Sequence, residues 1–389
     1  MKPETTKERI SSLDILRGFA LLGIVVVNAL GFNASFFNFG GYYGSLPDPD
    51  QQEFYNVFIS LTADKFIFLF SFLFGYGIFM QYKKFQDHNQ PFGNFFSRRM
   101  MVLAIFGIAH VVLLWAGDIL LPYAIAGLIV FLLRKVPAVL QLMLAIFFYF
   151  FVAFWLAAST YIPLPDSMTS LCTECIEQAG IIYSSGNYYE ILQLRLHEYA
   201  DFRNINLFYY LPKIIGLTLF GFIASKNLLH KKVATRKATW SVVLALIAAT
   251  AVFFYLKYET IFNIEGPFAT AAYMAGYELM NLLVASTYLI FILLVASFPT
   301  PAQLLKPFAL MGRMSLTNYL MQSLILGIVF YGWGFGLFGQ ANVMMVVAIA
   351  LSVYLFQILL NIIYFRFFET GPLEKIWRKW SYGKLLSHF

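Results

Sequence analysis

The sequence predicts an all-α fold, a polytopic transmembrane helical bundle of about ten spans with both termini cytoplasmic, and three observations carry that reading. Hydrophobic residues make up 60% of the chain and charged residues only 12%, against about 45–50% and about 25% in soluble globular proteins. Apolar stretches of roughly 20 residues, each long enough to cross a bilayer core, recur along the whole length. Lys and Arg concentrate in alternate connections, the bias that orients membrane helices.

Taken in order, the apolar runs place spans at 15–31, 57–80, 100–116, 119–133, 139–162, 208–228, 238–256, 269–298, 314–333 and 343–364. An even number returns the chain to its starting side. On that topology 22 of the 27 Lys and Arg, from Lys2 to Lys384, collect on one face, which the positive-inside rule makes cytoplasmic. The first run lacks a small-residue cleavage site before Phe32, so the first helix acts as its own targeting signal. The expected location is the bacterial cytoplasmic membrane, with the chain a multi-pass cell-membrane protein and the lipid bilayer its first partner. The net charge of +7 then belongs to basic loops, and nucleic-acid binding is excluded.

Residues 1–389 read as a single transmembrane domain, with 163–207 an extracytoplasmic loop insertion within it and 365–389 a basic cytoplasmic tail. Inside the insertion, Ile191, Leu194, Leu196 and Tyr199 alternate with Glu190, Arg195, Glu198 and Asp201, a pattern that predicts a short interfacial helix over 188–204. Cys172 and Cys175 form a CxxC without an activated thiol or a second ligand pair nearby. This pattern reads as a local disulfide or as two ordinary thiols, and no metal site is expected.

The opening stretch from Leu13 to Asn28 carries more than an anchor requires, because Asp14 and Arg17 stand at the mouth of the apolar run and Asn28 closes it. Other ionisable residues fall at membrane depth, where each costs about 2.5–3.5 kcal/mol and marks a site by default. Asp64 and Lys65 lie a third of the way into the second span, and on a continuous helix they point in divergent directions. His110 lies roughly 15 Å into the third span. Asp118 sits at the apex of the turn that follows, two helical turns on, which puts it about 12 Å from His110 if the helix persists. Glu278, with Asn281 one turn deeper, enters the eighth span to a similar depth. Asp64, His110 and Glu278 are therefore expected around one pocket in the outer half, with His110 the natural base near neutral pH. The structural alternative makes each of them a hydrogen-bond partner between helices.

At the cytoplasmic ends stand Asp14 with Arg17, Arg98 with Arg99, and Lys306 with Arg313. They anchor helices, or they form a basic vestibule in which Arg forks hold a phosphorylated ligand.

These residues resemble a known family. Leu13 through Asn28, Lys65-Phe66 with Phe70 to Gly75, Arg98-Arg99, His110, Gly117 to Leu120 and Tyr123-Ala124 are similar to the YeiB-like bacterial membrane proteins of undetermined function. So are Gly312-Arg313-Met314-Ser315-Leu316-Thr317-Asn318-Tyr319 and the closing Gly371 to Glu374. More distantly, Asp14, Arg17-Gly18, Ala20-Leu21, Asn28 and Ala63-Asp64 resemble the heparan-glucosaminide acetyltransferase family of transmembrane acyltransferases. That likeness implies a ten-helix core, acyl-CoA taken from the cytoplasm as donor substrate, and a sugar hydroxyl or amine as acceptor on the far side. It also implies a histidine that follows the first span, whereas residues 32–56 contain none.

The leading expectation is a membrane acyltransferase with no tightly bound cofactor. His110 is its general base, and Asp118, Asp64 or Glu278 orients the imidazole or the acceptor. Asp14, Arg17, Asn28, Lys65, Arg98, Arg99, Arg313 and Asn318 contribute to substrate binding. The acceptor is a small molecule or glycan, and a homodimer is one of the assembly states left open. The alternative is a transporter or channel for a small polar solute, which needs interrupted helices, and only Gly332–Gly339 hints at one. A third reading is a non-catalytic membrane scaffold.

Overall fold

The computed structural model describes residues 11–36, 39–159, 173–262 and 265–382, which are helical with no strand among them. α1 (Ser11–Asn33) crosses from the basic face to the far face, where the short α2 (Phe39–Gly44) follows. α3 (Pro49–Thr62) and α4 (Lys65–Asp87) form the return span, and α5 (Phe92–Leu113) with α6 (Leu120–Leu133) forms the next hairpin. α7 (Ala138–Tyr149) and α8 (Phe151–Ser159) make one span bent by 59°. On the far face lie α9 (Thr173–Ser185) and α10 (Tyr188–Ile205), the latter started by an Asn187–Glu190 capping box.

A single π turn, Asn206–Tyr210, feeds α11 (Leu211–Lys226) back across. α12 (Leu229–Thr235) lies on the basic face, ahead of the hairpin α13 (Lys237–Phe262) and α14 (Ala269–Val295). α15 (Pro299–Leu304) and α16 (Lys306–Arg313) lead into the last hairpin, α17 (Ser315–Phe330) and α18 (Val343–Tyr364). α19 (Pro372–Tyr382) then packs back against α5.

Among the described residues, seven helices are long and apolar enough to cross a membrane, or eight if the bent pair is one span. The remaining two of the ten expected spans correspond to α6 and α17, apolar helices shorter than that crossing length. α1 is the axis of the bundle, its most apolar stretch 72% buried against α4, α14, α16, α17 and α18. α13 is the opposite case at 6% buried, which leaves it facing lipid along nearly its whole length.

Lipid is as apolar as a leucine side chain, so helices associate here through close packing rather than hydrophobic exclusion. Two reciprocal glycine crossings supply that packing. A Cβ at Gly18 would sit 1.9 Å from the Phe308 carbonyl oxygen, and one at Gly312 equally close to that of Asp14, which clamps α1 to α16. Gly75 and Gly221 do the same between α4 and α11, meeting the carbonyls of Thr218 and Phe72.

Three expectations are corrected. The second span is not a continuous helix, because the chain breaks between α3 and α4 with Asp64 in the left-handed region at φ 63°. The third span is α5, which begins at Phe92 and ends at Leu113, so the helix stops before Asp118 instead of persisting through it. Its partner α6 is shorter, at about 21 Å. An interfacial α10 would keep its charges in water, yet Arg195 is 0% and Glu198 1% exposed. Cys175 is disulfide-bonded, and Cys172 lies outside the described residues.

Candidate functional site

The early end of α5 creates the first polar centre. A continued helix would have carried Asp118 about two turns away from His110. Instead the chain folds back over 114–119, and Asp118 Oδ1 lies 3.0 Å from His110 Nδ1. Gly107 permits the approach, since a Cβ there would stand 2.9 Å from Asp118 Oδ2 and 2.6 Å from the Leu121 nitrogen. Asp118 also accepts the backbone N–H groups of Leu120 and Leu121 at 3.1 and 2.8 Å, capping α6.

On the other side of the ring, His110 Nε2 lies 2.9 Å from Ser323 Oγ on α17. With the carboxylate ionised and the imidazole neutral, Nδ1 carries the proton and Nε2 accepts from the serine hydroxyl. The expected separation of His110 and Asp118 is thus overturned, and a residue that the sequence reading passed over completes the set. The side chains of His110 and Asp118 are fully buried, and Tyr319 packs its ring 5.0 Å from the imidazole. α17 is fixed in register by a polar ladder to α18, in which Gln322 donates to Gln357 Oε1 and Gln357 donates to the Asn318 carbonyl. Asn318 itself donates to the Met311 carbonyl, a helix-packing contact.

The second centre forms at the break in the second span. Asp64 does not cap α4, and its carboxylate turns inward to Lys213 of α11 at 3.2 Å. Lys213 also pairs with Glu278 of α14 at 2.6 Å, while the Tyr209 hydroxyl stands between the two carboxylates, 3.2 Å from Asp64 and 3.0 Å from Glu278 with one proton to give, and Tyr277 donates to Asp64 at 3.1 Å. Asp64 and Glu278 therefore meet as expected, but around Lys213 rather than His110. In the sequence Lys213 is only a base at a span end, and nothing local marks which helices adjoin it. Lys65 is fully buried, its ammonium without a hydrogen-bond partner and 5.9 Å over the Tyr277 ring. Tyr288 donates to the Leu61 carbonyl, a backbone acceptor freed by the break. A cavity of about 40 Å³, lined by Asn28, Thr62, Asp64 and Ile119 among apolar neighbours, lies between this centre and the Asp118 turn. That volume is room for a water.

The basic face gathers part of the expected vestibule. Arg17 pairs with buried Asp14 at 3.0 Å and keeps its side chain 29% exposed. Arg99 lies within electrostatic reach of Arg17, Arg378 and Tyr382, and its guanidinium stacks 3.7 Å over Trp377. Trp377 returns an N–H bond to the Arg99 carbonyl at 3.0 Å. Arg98 is exposed. Arg313 is drawn elsewhere, donating to the Glu369 carbonyl and stacking on Phe365. Glu374 of α19 accepts from the Leu316 and Thr317 nitrogens and from the Thr317 hydroxyl, capping α17. Burial pushes its carboxyl above the usual range, against those hydrogen bonds.

On the far face, Glu198 holds the end of α1 by accepting from Ser35 at 2.5 Å, the Phe36 nitrogen at 3.1 Å and Tyr183 at 2.6 Å, and burial raises its carboxyl too. Arg195 donates to the Val112 carbonyl, two residues beyond His110, and so ties α10 to the end of α5. No group of three or more His, Cys, Asp or Glu suited to a metal occurs among the described residues.

Residues 223–384 match a family profile described as a protein of unknown function, DUF418. The chain is 29% identical to the uncharacterized protein YxaH of Bacillus subtilis (strain 168), over 98% of this chain and 96% of that one. It is 28% identical to the uncharacterized protein YeiB of Escherichia coli (strain K12), over 96% of each. The chain is similar to YeiB along nearly its full length. An uncharacterized 39.9 kDa protein of Bacillus acidopullulyticus is 27% identical over 99% of this chain. The likeness to these YeiB-like proteins therefore runs through both polar centres and the basic face.

Proposed function

We propose that this protein is an integral-membrane acyltransferase that moves an acyl group from a cytoplasmic acyl-CoA to a small-molecule or glycan acceptor at the outer side. The observation that carries the reading is the buried His110 held by Asp118, a general base whose orienting group is already in place. Asp118 fixes the tautomer, so the nitrogen that must take a proton is the unprotonated Nε2. A base so held contributes about 10²–10⁴-fold to a transfer step. Arg17 and Arg99, with Arg378 in reach, form the basic mouth for the donor's phosphates, and the positive-inside bias makes that mouth cytoplasmic. Asn28 and Asp64, on the small cavity, lie toward the acceptor side. Purified protein given acetyl-CoA and glucosamine, which offers an amine and hydroxyls, should release CoA thiol. His110→Ala should abolish that release while CoA binding persists; unchanged release would sink the assignment.

A second reading has its own observation. The helix broken at Asp64, with Lys213 bridging two carboxylates, is the kind of interrupted segment on which transporters build midplane sites. It expects proteoliposomes without any acyl donor to accumulate a small polar solute or protons, and Lys213→Met to abolish that accumulation.

A further inference from the structure

We propose that Ser323 is the acyl carrier, so that transfer runs through a covalent acyl-serine in the middle of the membrane. The proposal rests on the acyl-transfer reading and adds to it a nucleophile and an order of events. His110 Nε2 is the nitrogen that must act as base, and it already faces a proton, that of Ser323 Oγ at 2.9 Å. The competing acceptor for that hydroxyl, the Tyr319 carbonyl, stands at 3.5 Å. Ser323 is 1% exposed, so bulk water does not compete for it either. Hydroxyl, imidazole and carboxylate thus stand in the order nucleophile, base, orienting group, the constellation by which activated serines are recognised on unrelated folds.

The surroundings argue for a carrier over direct transfer. In the resting state the Ser323 hydroxyl occupies Nε2, and only acylation, by removing that proton, leaves Nε2 free for the acceptor's. Ser323 also sits at mid-height in α17, about 12 Å from its basic end. A carrier there lets donor and acceptor enter from opposite faces one at a time, with neither face open to the other. Register is secured by Glu374 at the start of α17 and by the Gln322–Gln357 bond beside the serine.

In the first half-reaction Nε2 takes the Oγ proton and Oγ bonds to the thioester carbonyl carbon. The carbon–sulfur bond breaks, and the sulfur takes the proton back from Nε2 and leaves as CoA thiol. In the second, an acceptor hydroxyl or amine gives its proton to Nε2 and attacks the ester carbonyl. The bond to Oγ breaks, and Oγ recovers the proton from Nε2. No oxidant, metal or further reactant enters the balance.

The test needs no knowledge of the acceptor. Full-length protein is mixed with acetyl-CoA, or in parallel octanoyl-CoA, and radiolabelled free CoA, with acceptor omitted. Label should pass into the acyl-CoA pool, and the peptide containing Ser323 should gain one hydroxylamine-labile acyl group. Ser323→Ala should lose both signals, whereas Ser323→Cys should carry the acyl group as a thioester, which shows that the fold tolerates the site. If wild type shows neither exchange nor adduct but still releases CoA to glucosamine in a His110-dependent way, transfer is direct and the carrier is refuted while the parent reading survives. An adduct on another residue refutes it equally. Absence of exchange, adduct and CoA release with every donor and acceptor overturns both.

Discussion

At the residue scale, Asp118 performs two tasks with one carboxylate: it caps α6 through Leu120 and Leu121 and fixes the tautomer of His110. Asp118→Asn keeps the size but can present an N–H to Nδ1, which favours the wrong tautomer. We expect CoA release to fall by about 10²–10⁴-fold with little change in donor KM, read from initial rates on both proteins. Gly107→Ala tests the same contact sterically, because the added methyl meets backbone as well as carboxylate. A loss of about 1–3 kcal/mol and a parallel loss of activity are expected from thermal unfolding and rate assays. His110 and Asp118 were legible as polar residues where polarity is expensive. Their contact was not, because Gly117 alone does not reveal that the helix stops at Leu113. Ser323 was invisible for a different reason, since serine is a cheap resident of membrane helices and carries no charge to flag it.

At the scale of elements, the break between α3 and α4 and the packing of α11 decide what the buried charges do. Lys213 bridges two carboxylates from two other spans, so Lys213→Met leaves Asp64 and Glu278 facing one another without the ammonium between them. Removing one partner of a buried pair costs about 3–5 kcal/mol, and the variant should show a lowered Tm in detergent. The triple replacement of Lys213, Asp64 and Glu278 by apolar residues should recover most of that loss, and failure to do so would show that the group is structural for another reason. The spans themselves were legible because length and apolarity announce them. Which spans adjoin was not, since glycines such as Gly75 and Gly221 read as small residues until the carbonyls they admit are known.

At the scale of the whole molecule, the basic face is tied to the bundle by two polar contacts that respond differently to pH. Tyr76 of α4 bonds His230 Nδ1 of α12, and burial, with Lys231 adding to it, lowers the imidazole below its ordinary 6.5. A lowered value means that the folded state disfavours the proton. The contribution is therefore present above 6.5 and is lost as pH falls through the lower folded value. Protection factors in α12, which discount the intrinsic pH dependence of amide exchange, should fall between pH 7.5 and 5.5 in wild type and stay level in His230→Gln. The second contact is α19, where Glu374→Ala would leave the Leu316 and Thr317 N–H groups unmatched at a cost of about 1–3 kcal/mol, visible as faster proteolysis beyond α18. The tail was legible as basic residues. Its docking rests on Glu374 and Trp377 meeting partners 58 and 278 residues earlier in the chain, a separation no local pattern spans. That separation has a consequence for biosynthesis. α5 and α17 enter the membrane before α19 leaves the ribosome, so during translation the Arg99 mouth lacks its tryptophan lid and α17 lacks its cap. The chain thus inserts first and matures last, and a chain truncated after α18 would span the bilayer with its entrance unfinished.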